Sequence, residues 1–191
     1  MRLRLVTVPD RLWADRAIPE GAKLVWCYIS ALTHLRSEFT LKELYSGAGI
    51  SLPSLHKYLA VLSRHGWLVY ERVSLRVVRC QVVQPEAGPR LVLPSDILFD
   101  HRLPRGACWT WGLIFRMRGR FEYRDLRRAT GYSQDTLSKH VRQLLAHRWL
   151  VGGPQRKARR VVYSVRGANP HAIGRAQELR ELERGLRVAR N

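Results

Sequence analysis

The stretch that decides the fold runs from Gly49 to Val69 and reads GISLPSLHKYLAVLSRHGWLV. A glycine just before a serine predicts a tight turn and then a helix, because glycine tolerates left-handed backbone angles and serine caps helix N-termini. Leu55, Leu59 and Leu62 recur at helical spacing and mark the buried face of that helix. The closing Trp67-Leu68-Val69 is an apolar run typical of a strand.

Two further helices are predicted before this stretch. A long helix follows Pro19, because proline suits the first helical turn. A shorter one begins at Thr40-Leu41-Lys42-Glu43, which has the pattern of a capping box. After the stretch, a basic hairpin and a second strand near Arg76 to Val83 complete a two-stranded wing. Helix, helix, turn, helix and wing is the order of the winged helix-turn-helix.

The same pattern recurs in the second part of the chain. From Pro9 onward, each position aligns with the position 85 residues later, and after a three-residue shortening the offset becomes 82. The second offset aligns Gly49 with Gly131 and the closing Trp67-Leu68-Val69 with Trp149-Leu150-Val151. Collinear matches on structurally meaningful residues indicate an internal duplication.

The duplication predicts a mainly α fold with small β-hairpin wings. We expect two tandem winged helix-turn-helix domains plus a C-terminal helix. The predicted boundaries are 1–84 for the first domain, 85–90 for a linker, 91–168 for the second domain and 169–191 for the helix. Proline and glycine punctuate the linker and separate two apolar runs.

This pattern resembles the winged-helix superfamily over nearly both repeats. The Pro19-Glu20-Gly21-Ala22-Lys23-Leu24 segment looks like the helix found before the helix-turn-helix in DNA-binding proteins of plasmids, phages and bacterial regulators. The tandem arrangement is similar to plasmid replication initiators, which carry two winged-helix domains in one chain. The resemblance implies a sequence-specific double-stranded DNA-binding protein, either a transcription regulator or an origin-binding replication initiator of a plasmid, phage or integrated element.

The charge of the chain points to a polyanionic partner. Its 191 residues carry 34 Lys+Arg against 15 Asp+Glu, a formal net charge of +19. Residues 85–168 hold +11 of this charge and residues 1–84 hold +6. Nucleic acid is the first candidate partner and an anionic membrane surface the second. No apolar run approaches the roughly 20 residues of a membrane span, so we expect no membrane insertion.

The exposed faces of the two predicted recognition helices are the candidate base readers. In the second repeat this face carries many side chains that can donate to or accept from base edges. Its candidates are Gln134, Asp135, Thr136, Ser138, Lys139, Arg142 and Gln143. In the first repeat the candidates are Ser54, His56, Lys57 and Arg64. The first face also holds Ala60 and Val61 and is poorer in polar groups, so we expect the second repeat to be the better base reader.

Cations of the wings and of the second helix are the candidate phosphate contacts, since lysine and arginine hold phosphate oxygens. They are Arg72, Arg76, Arg79, Arg124, Arg127, Arg128, Arg156, Lys157, Arg159 and Arg160. Four of these lie in one glycine-rich hairpin tip, residues 152–160, which suits a minor groove or a phosphate backbone.

Other features point to packing rather than to chemistry. Trp26, Trp67, Trp111 and Trp149 recur between the repeats at core-like places. His140 lies on the flank of the second recognition helix, where either DNA contact or packing is open. The sequence shows no nucleophile–base set, phosphate loop or metal-ligand spacing, so we predict no enzyme activity, no cofactor and no metal. Scattered cysteines without a disulfide framework fit a reducing compartment, and we expect a bacterial, cytoplasmic, nucleoid-associated protein.

The last helix and the DNA geometry leave alternatives open. Its apolar positions are Ile173, Ala176, Leu179, Leu182 and Leu186, and this stripe either pairs two chains as a homodimer or lies back on its own domains. A direct repeat or an asymmetric DNA site suits a monomer, whereas a paired tail favours an inverted site. The rival functions are an assembly adaptor, such as a helicase loader or chromosome-organising scaffold with loose DNA affinity, and an RNA binder.

Overall fold

The computed structural model describes residues 5–33, 35–84, 88–151 and 161–162, and for Arg120, Val161 and Val162 it describes the backbone alone. Below, residues 5–84 are called the first half and residues 88–162 the second half. The fold mixes helices with small antiparallel sheets, as a winged helix-turn-helix does.

The first half contains the predicted three helices and the wing. Its elements are β1 (Leu5–Pro9), α1 (Asp10–Ala14), α2 (Glu20–Leu32), β2 (Glu38–Thr40), α3 (Leu41–Gly47), α4 (Leu52–Arg64), β3 (Leu68–Arg72) and β4 (Val77–Val82). Strands β2, β4 and β3 form an antiparallel sheet in that order. The β3–β4 hairpin is the predicted wing, and the short strand β2 was not predicted from the sequence.

The second half follows the same order, with a shorter second helix and, among the described residues, one strand after its last helix where the first half has two. Its elements are β5 (Arg90–Pro94), α5 (Ser95–Leu98), α6 (Ala107–Arg116), β6 (Arg120–Phe121), α7 (Tyr123–Thr130), α8 (Gln134–Ala146) and β7 (Val161–Val162). Strands β6 and β7 pair antiparallel. Arg90, the last residue of the predicted linker, is the first residue of β5.

The predicted first wing strand of the second half is wrong over Trp149 and Leu150. Only Val151 makes a strand-like bridge there. The physical reason is that the chain wraps around the end of α8 instead of leaving it. Arg148 takes a left-handed φ of 61°, as the aligned Gly66 does before β3, but here the Leu150 N–H also donates back to the Leu144 carbonyl at 3.2 Å.

The predicted turns and caps at the starts of α4 and α8 are confirmed. Gly49 and Gly131 have φ values of 63° and 74°, in the region that favours glycine. The Ser51 hydroxyl accepts from the Ser54 backbone N–H at 3.4 Å. The Ser133 hydroxyl accepts from the backbone N–H of Thr136 at 3.2 Å. Each turn is therefore followed by a helix in which a serine hydroxyl caps a backbone N–H of the first turn.

One contiguous core runs through both halves. Trp26 is 0% exposed and its Nε1 donates to the Trp67 carbonyl at 3.0 Å. The aligned Trp111 is 2% exposed and its Nε1 donates to the Trp149 carbonyl at 2.9 Å. Packing is therefore confirmed as the role of these tryptophans. Helix α2 is buried over most of its length, because it also contacts β1 and the second half's α5.

Strands β1 and β5 join the two halves directly. They pair antiparallel, with Leu5 opposite Pro94, Thr7 opposite Val92 and Pro9 opposite Arg90. Their pairing places the start of each half against the start of the other.

Candidate nucleic-acid interface

Helix α8 presents a cationic face to solvent because its apolar side chains are taken up by the core. Leu137 and Leu144 are 0% exposed and Val141 is 2% exposed. On the opposite side, Lys139 and Arg142 are exposed, as the helical period predicts.

The other predicted residues of α8 divide into two groups. Gln134 and Asp135 are exposed, whereas Thr136, Ser138 and Gln143 are half-buried. The Thr136 hydroxyl lies 2.9 Å from the Ser133 hydroxyl, so it takes part in the N-terminal cap. The described side chains best placed to reach a base edge are therefore Gln134, Lys139 and Arg142, and Asp135 lies beside them in the first turn.

Helix α4 presents a sparser face in the first half. Its predicted residues His56, Lys57 and Arg64 are exposed. Ser54 is half-buried, and its hydroxyl lies 2.9 Å from that of Ser51. Lys57 aligns with Lys139 at the offset of 82, so both helices carry a lysine at the same exposed position.

The first wing offers fewer free cations than the sequence suggested. The Arg79 guanidinium lies 2.7 Å from Glu38 and 3.2 Å from Glu71, and these carboxylates raise its pKa. Arg72 donates to the Ser74 and Leu75 carbonyls at 3.3 and 3.4 Å, which holds it along its own hairpin. Arg76 is exposed at the strand entrance. A pair of carboxylates thus offsets part of the charge of this wing.

Helix α7 supplies an arginine cluster beside α8. Arg124, Arg127 and Arg128 are exposed and, with Gly131 and Tyr132, line an open cleft of about 400 Å³. Arg124 also lies 3.2 Å from Glu122. A shallow cleft walled by three guanidinium groups suits a phosphate group.

Two residues that the sequence analysis missed stand at the turns before the recognition helices. An ideal Cβ on Gly131 would lie 2.6 Å from a guanidinium nitrogen of Arg16, so this arginine of the first half packs on the turn of the second. At Gly49 the corresponding atom would lie 2.6 Å from the His101 ring of the second half. Arg16 and His101 align at the offset of 85, and that alignment was the available signal.

For His140, the sequence left DNA contact and packing as alternatives, and the structure shows packing. Its side chain is 5% exposed, and its Nδ1 lies 2.9 Å from the Thr110 hydroxyl. The ring also meets Tyr132 edge-on, with centroids 5.2 Å apart. Burial lowers its pKa. His140 is therefore a core residue and no DNA contact.

The three cysteines are also buried. Burial raises the pKa of Cys80 to about 12 and those of Cys27 and Cys108 as well. These thiols are therefore protonated at neutral pH and act as small apolar side chains.

Part of the predicted interface lies outside the described residues. This applies to the wing cations Arg156, Lys157, Arg159 and Arg160 and to the tail positions Ile173, Leu179, Leu182 and Leu186. Their roles in DNA binding and in pairing of two chains stay predictions.

The described residues also bear on membrane insertion and metal binding. None of the described helices is long and apolar enough to cross a membrane. Over the same part of the chain, no three His, Cys, Asp or Glu side chains gather where a metal ion could bind.

Comparison with known families identifies a helix-turn-helix in the first half. Residues 29–72 match the family model described as the IclR helix-turn-helix domain. The matched segment includes α3, α4 and β3 and covers less than a quarter of the 191 residues. This chain therefore carries a segment similar to a DNA-binding regulator domain. No curated protein matches the chain.

Proposed function

We propose that this protein is a sequence-specific duplex DNA-binding protein that acts as a transcription regulator or as an origin-binding replication initiator of a plasmid, phage or integrated element. It binds through two tandem winged helix-turn-helix domains, at residues 1–84 and 91–168, and it catalyses no reaction. The observation that carries the proposal is the repeated pair of helices, α4 and α8. Each begins at a serine cap after a left-handed glycine and presents an aligned exposed lysine.

Affinity comes mainly from phosphate neutralisation. Arg127 and Arg128 on α7 and Arg16 beside the Gly131 turn flank the start of α8. Cations in such positions release counterions from DNA when they bind, so affinity falls steeply with salt. The net charge of +19 supplies long-range attraction to the same partner.

Specificity comes from α8. Lys139 and Arg142 lie one helical turn apart on its exposed face. Both side chains can donate to the O6 and N7 atoms of guanine in the major groove, and Gln134 can pair with adenine. We therefore expect guanine contacts at the centre of the half-site that α8 reads.

The test begins with selection from a random duplex library by the full chain. The selected duplex then competes against random duplex and against RNA of equal length in a gel shift. We expect the selected duplex to compete at least 100-fold better than either rival nucleic acid, within the usual range for specific sites. Equal competition by random duplex would favour the adaptor, and preferential competition by RNA would favour an RNA-binding role.

One observation favours the assembly adaptor as a second candidate. The first wing exposes large apolar side chains: Leu75 is 80% exposed, Val69 is 59% exposed and Val73 is 45% exposed. Exposed apolar groups of this kind suit a protein partner more than a phosphate backbone. Replacing Leu75 and Val73 by serine should leave the affinity for selected duplex within about twofold under the DNA-binding proposal.

A further inference from the structure

We propose that one chain recognises an imperfect inverted repeat in DNA, with its two halves taking the places of the two subunits of a dimer. This inference rests on the proposed function, and it adds the symmetry of the site and the number of chains that occupy it. It replaces the expectation that a single chain would suit a direct repeat or an asymmetric site.

The first observation is the register of β1 and β5. Extended back from Pro9 without a gap, the offset of 85 aligns Leu5 with Arg90 and Thr7 with Val92, next to the match of Pro9 with Pro94. In the sheet, Leu5 pairs with Pro94, Pro9 with Arg90, and Thr7 with its own counterpart Val92. Such reciprocal pairing defines an isologous interface, in which residue i contacts j and j contacts i. A local two-fold axis therefore passes between Thr7 and Val92.

The second observation carries this symmetry to the turns before the recognition helices. Arg16 of the first half packs on the Gly131 turn, and its counterpart His101 of the second half packs on the Gly49 turn. These two contacts are reciprocal partners under the same alignment. Helices α4 and α8 begin three residues after Gly49 and Gly131 respectively, so each is anchored by the opposite half.

The third observation is a pair of matching clefts between the halves. One cleft, of about 360 Å³, is bounded by Arg16, Pro19 and Gly131, and the other, of about 340 Å³, by their counterparts His101, Pro104 and Gly49. The similar volumes and the exchanged walls are expected of two copies related by a two-fold axis. The relation therefore holds from the central strands to the starts of α4 and α8.

A two-fold relation between the reading helices determines the orientation of the half-sites. Duplex DNA has its own two-fold axes perpendicular to the helix, because its strands are antiparallel. When equivalent helices enter one duplex in equivalent ways, the protein axis coincides with a DNA axis, and the half-sites are inverted. Dimeric helix-turn-helix proteins place their half-sites about 10 base pairs apart in this way.

The two half-sites are unequal because the reading faces differ. Lys57 and Lys139 are aligned, and this position should contact the same base in both half-sites. The counterpart of Arg142 is Ala60, which has no polar group to offer a base. One half-site should therefore specify more base pairs than the other.

The spacing between the half-sites should be fixed. The two halves share one core, and an ion pair of 2.7 Å joins Asp10 to Arg116 across them. A connection of this kind does not stretch as a disordered linker does. Insertion of base pairs between the half-sites therefore separates them beyond the reach of one chain.

The experiment uses the full chain and four duplexes built from its selected site. They are the selected duplex, a duplex with the weaker half-site reversed, one with 5 base pairs inserted and one with 10 inserted. We expect at least a tenfold loss of affinity for each of the last three, and native mass spectrometry should find one chain on the selected duplex. Unchanged affinity after reversal, a selected direct repeat, or two chains on a single site would overturn the inference.

Matched variants show which half reads which half-site. Lys57→Ala should relax base preference in the weaker half-site alone, and Lys139→Ala should relax it in the stronger one alone. Loss of preference in the same half-site with both variants would contradict the two-fold arrangement. If the wild-type chain enriches no sequence at all, the proposed function itself fails, and this outcome is distinct from enrichment of a site that is not inverted.

Discussion

The two halves of the molecule share a scaffold and differ on the surface. The first half contains the segment that matches a helix-turn-helix family, together with a three-stranded sheet and a wing whose Arg79 is paired with carboxylates. The second half has strands of two residues in its small sheet, but it exposes Lys139 and Arg142 beside the α7 arginines.

The scaffold and the proposed reading surface therefore depend on separate parts of the sequence. Core leucines, caps and turn glycines build α4 and α8 alike. The exposed side chains of these helices do not pack in the core, so they can differ between the two halves. A segment that matches a known family in one half and a more cationic exposed helix face in the other are therefore compatible.

The largest effect is expected from the reading face of α8. Replacing Lys139 and Arg142 together by alanine should weaken binding to the selected duplex by about 2–4 kcal/mol, since a good bidentate base contact is worth about 1–3 kcal/mol. The matched control is Lys57→Ala with Arg64→Ala in α4, for which we expect about 1 kcal/mol. Fluorescence anisotropy measures both, and a larger loss in the control would reverse the comparison.

The turn glycines should show equal costs to stability and unequal costs to binding. Alanine at Gly131 or at Gly49 must adopt a left-handed backbone angle, which costs roughly 1–2 kcal/mol of unfolding free energy. Both added methyl groups also displace a side chain of the other half, Arg16 at Gly131 and His101 at Gly49. Because arginine is always charged, Gly131→Ala should lower DNA affinity more.

Urea unfolding and DNA titration of the two glycine variants measure these effects. If the two variants lose equal DNA affinity, Arg16 does not contribute to the DNA interface. This result would not contradict the turn geometry.

The arginine cluster should act on every duplex alike. Replacing Arg127 and Arg128 by glutamine should make the negative slope of log K against log salt shallower by about 1.8, or about 0.9 for each phosphate that is no longer neutralised. The matched control is Arg79→Gln in the first wing, whose guanidinium is already paired. An equal change of the salt slope in the control would show that Arg79 neutralises a DNA phosphate despite its pairing with carboxylates.

The smallest effect concerns the pH dependence of stability. Burial lowers the pKa of His140, so the unfolded chain binds a proton more readily than the folded one. The contribution of the neutral His140 side chain to the free energy of unfolding is complete above the unfolded pKa of about 6.5. It is lost as the pH falls below that value. His140→Tyr introduces the residue of the aligned position, Tyr58, and should flatten the melting temperature between pH 7 and 5. An unchanged pH profile in this variant would assign the dependence to other groups.

Much of the fold could be predicted from the sequence because it depends on patterns among neighbouring residues. The glycine turns, the serine caps and the leucine periods of α4 and α8 each depend on a few neighbouring residues. The structure has the helices within a few residues of their predicted places. The exposed cations of α8 and α7 were equally predictable, since the face opposite an apolar stripe follows from the helical period.

The rest could not be predicted because it depends on long-range pairing. Nothing local marks β1 and β5 as partners, and the approach of Arg16 to Gly131 depends on residues 115 positions apart. His140 was ambiguous for the same reason, since its partner Thr110 lies on another helix. The pairing of Arg79 with Glu38 requires the strand β2, which is only three residues long.

The most direct test of the central claim compares the sites selected by two forms of the full chain. Wild-type protein and the Lys139→Ala, Arg142→Ala variant are each offered the same random duplex library, and the enriched sequences are read. We expect a defined site for the wild type and loss of the base preferences in the stronger half-site for the variant. Enrichment of an identical site by both forms would contradict the assignment of α8 as the main reader of DNA sequence.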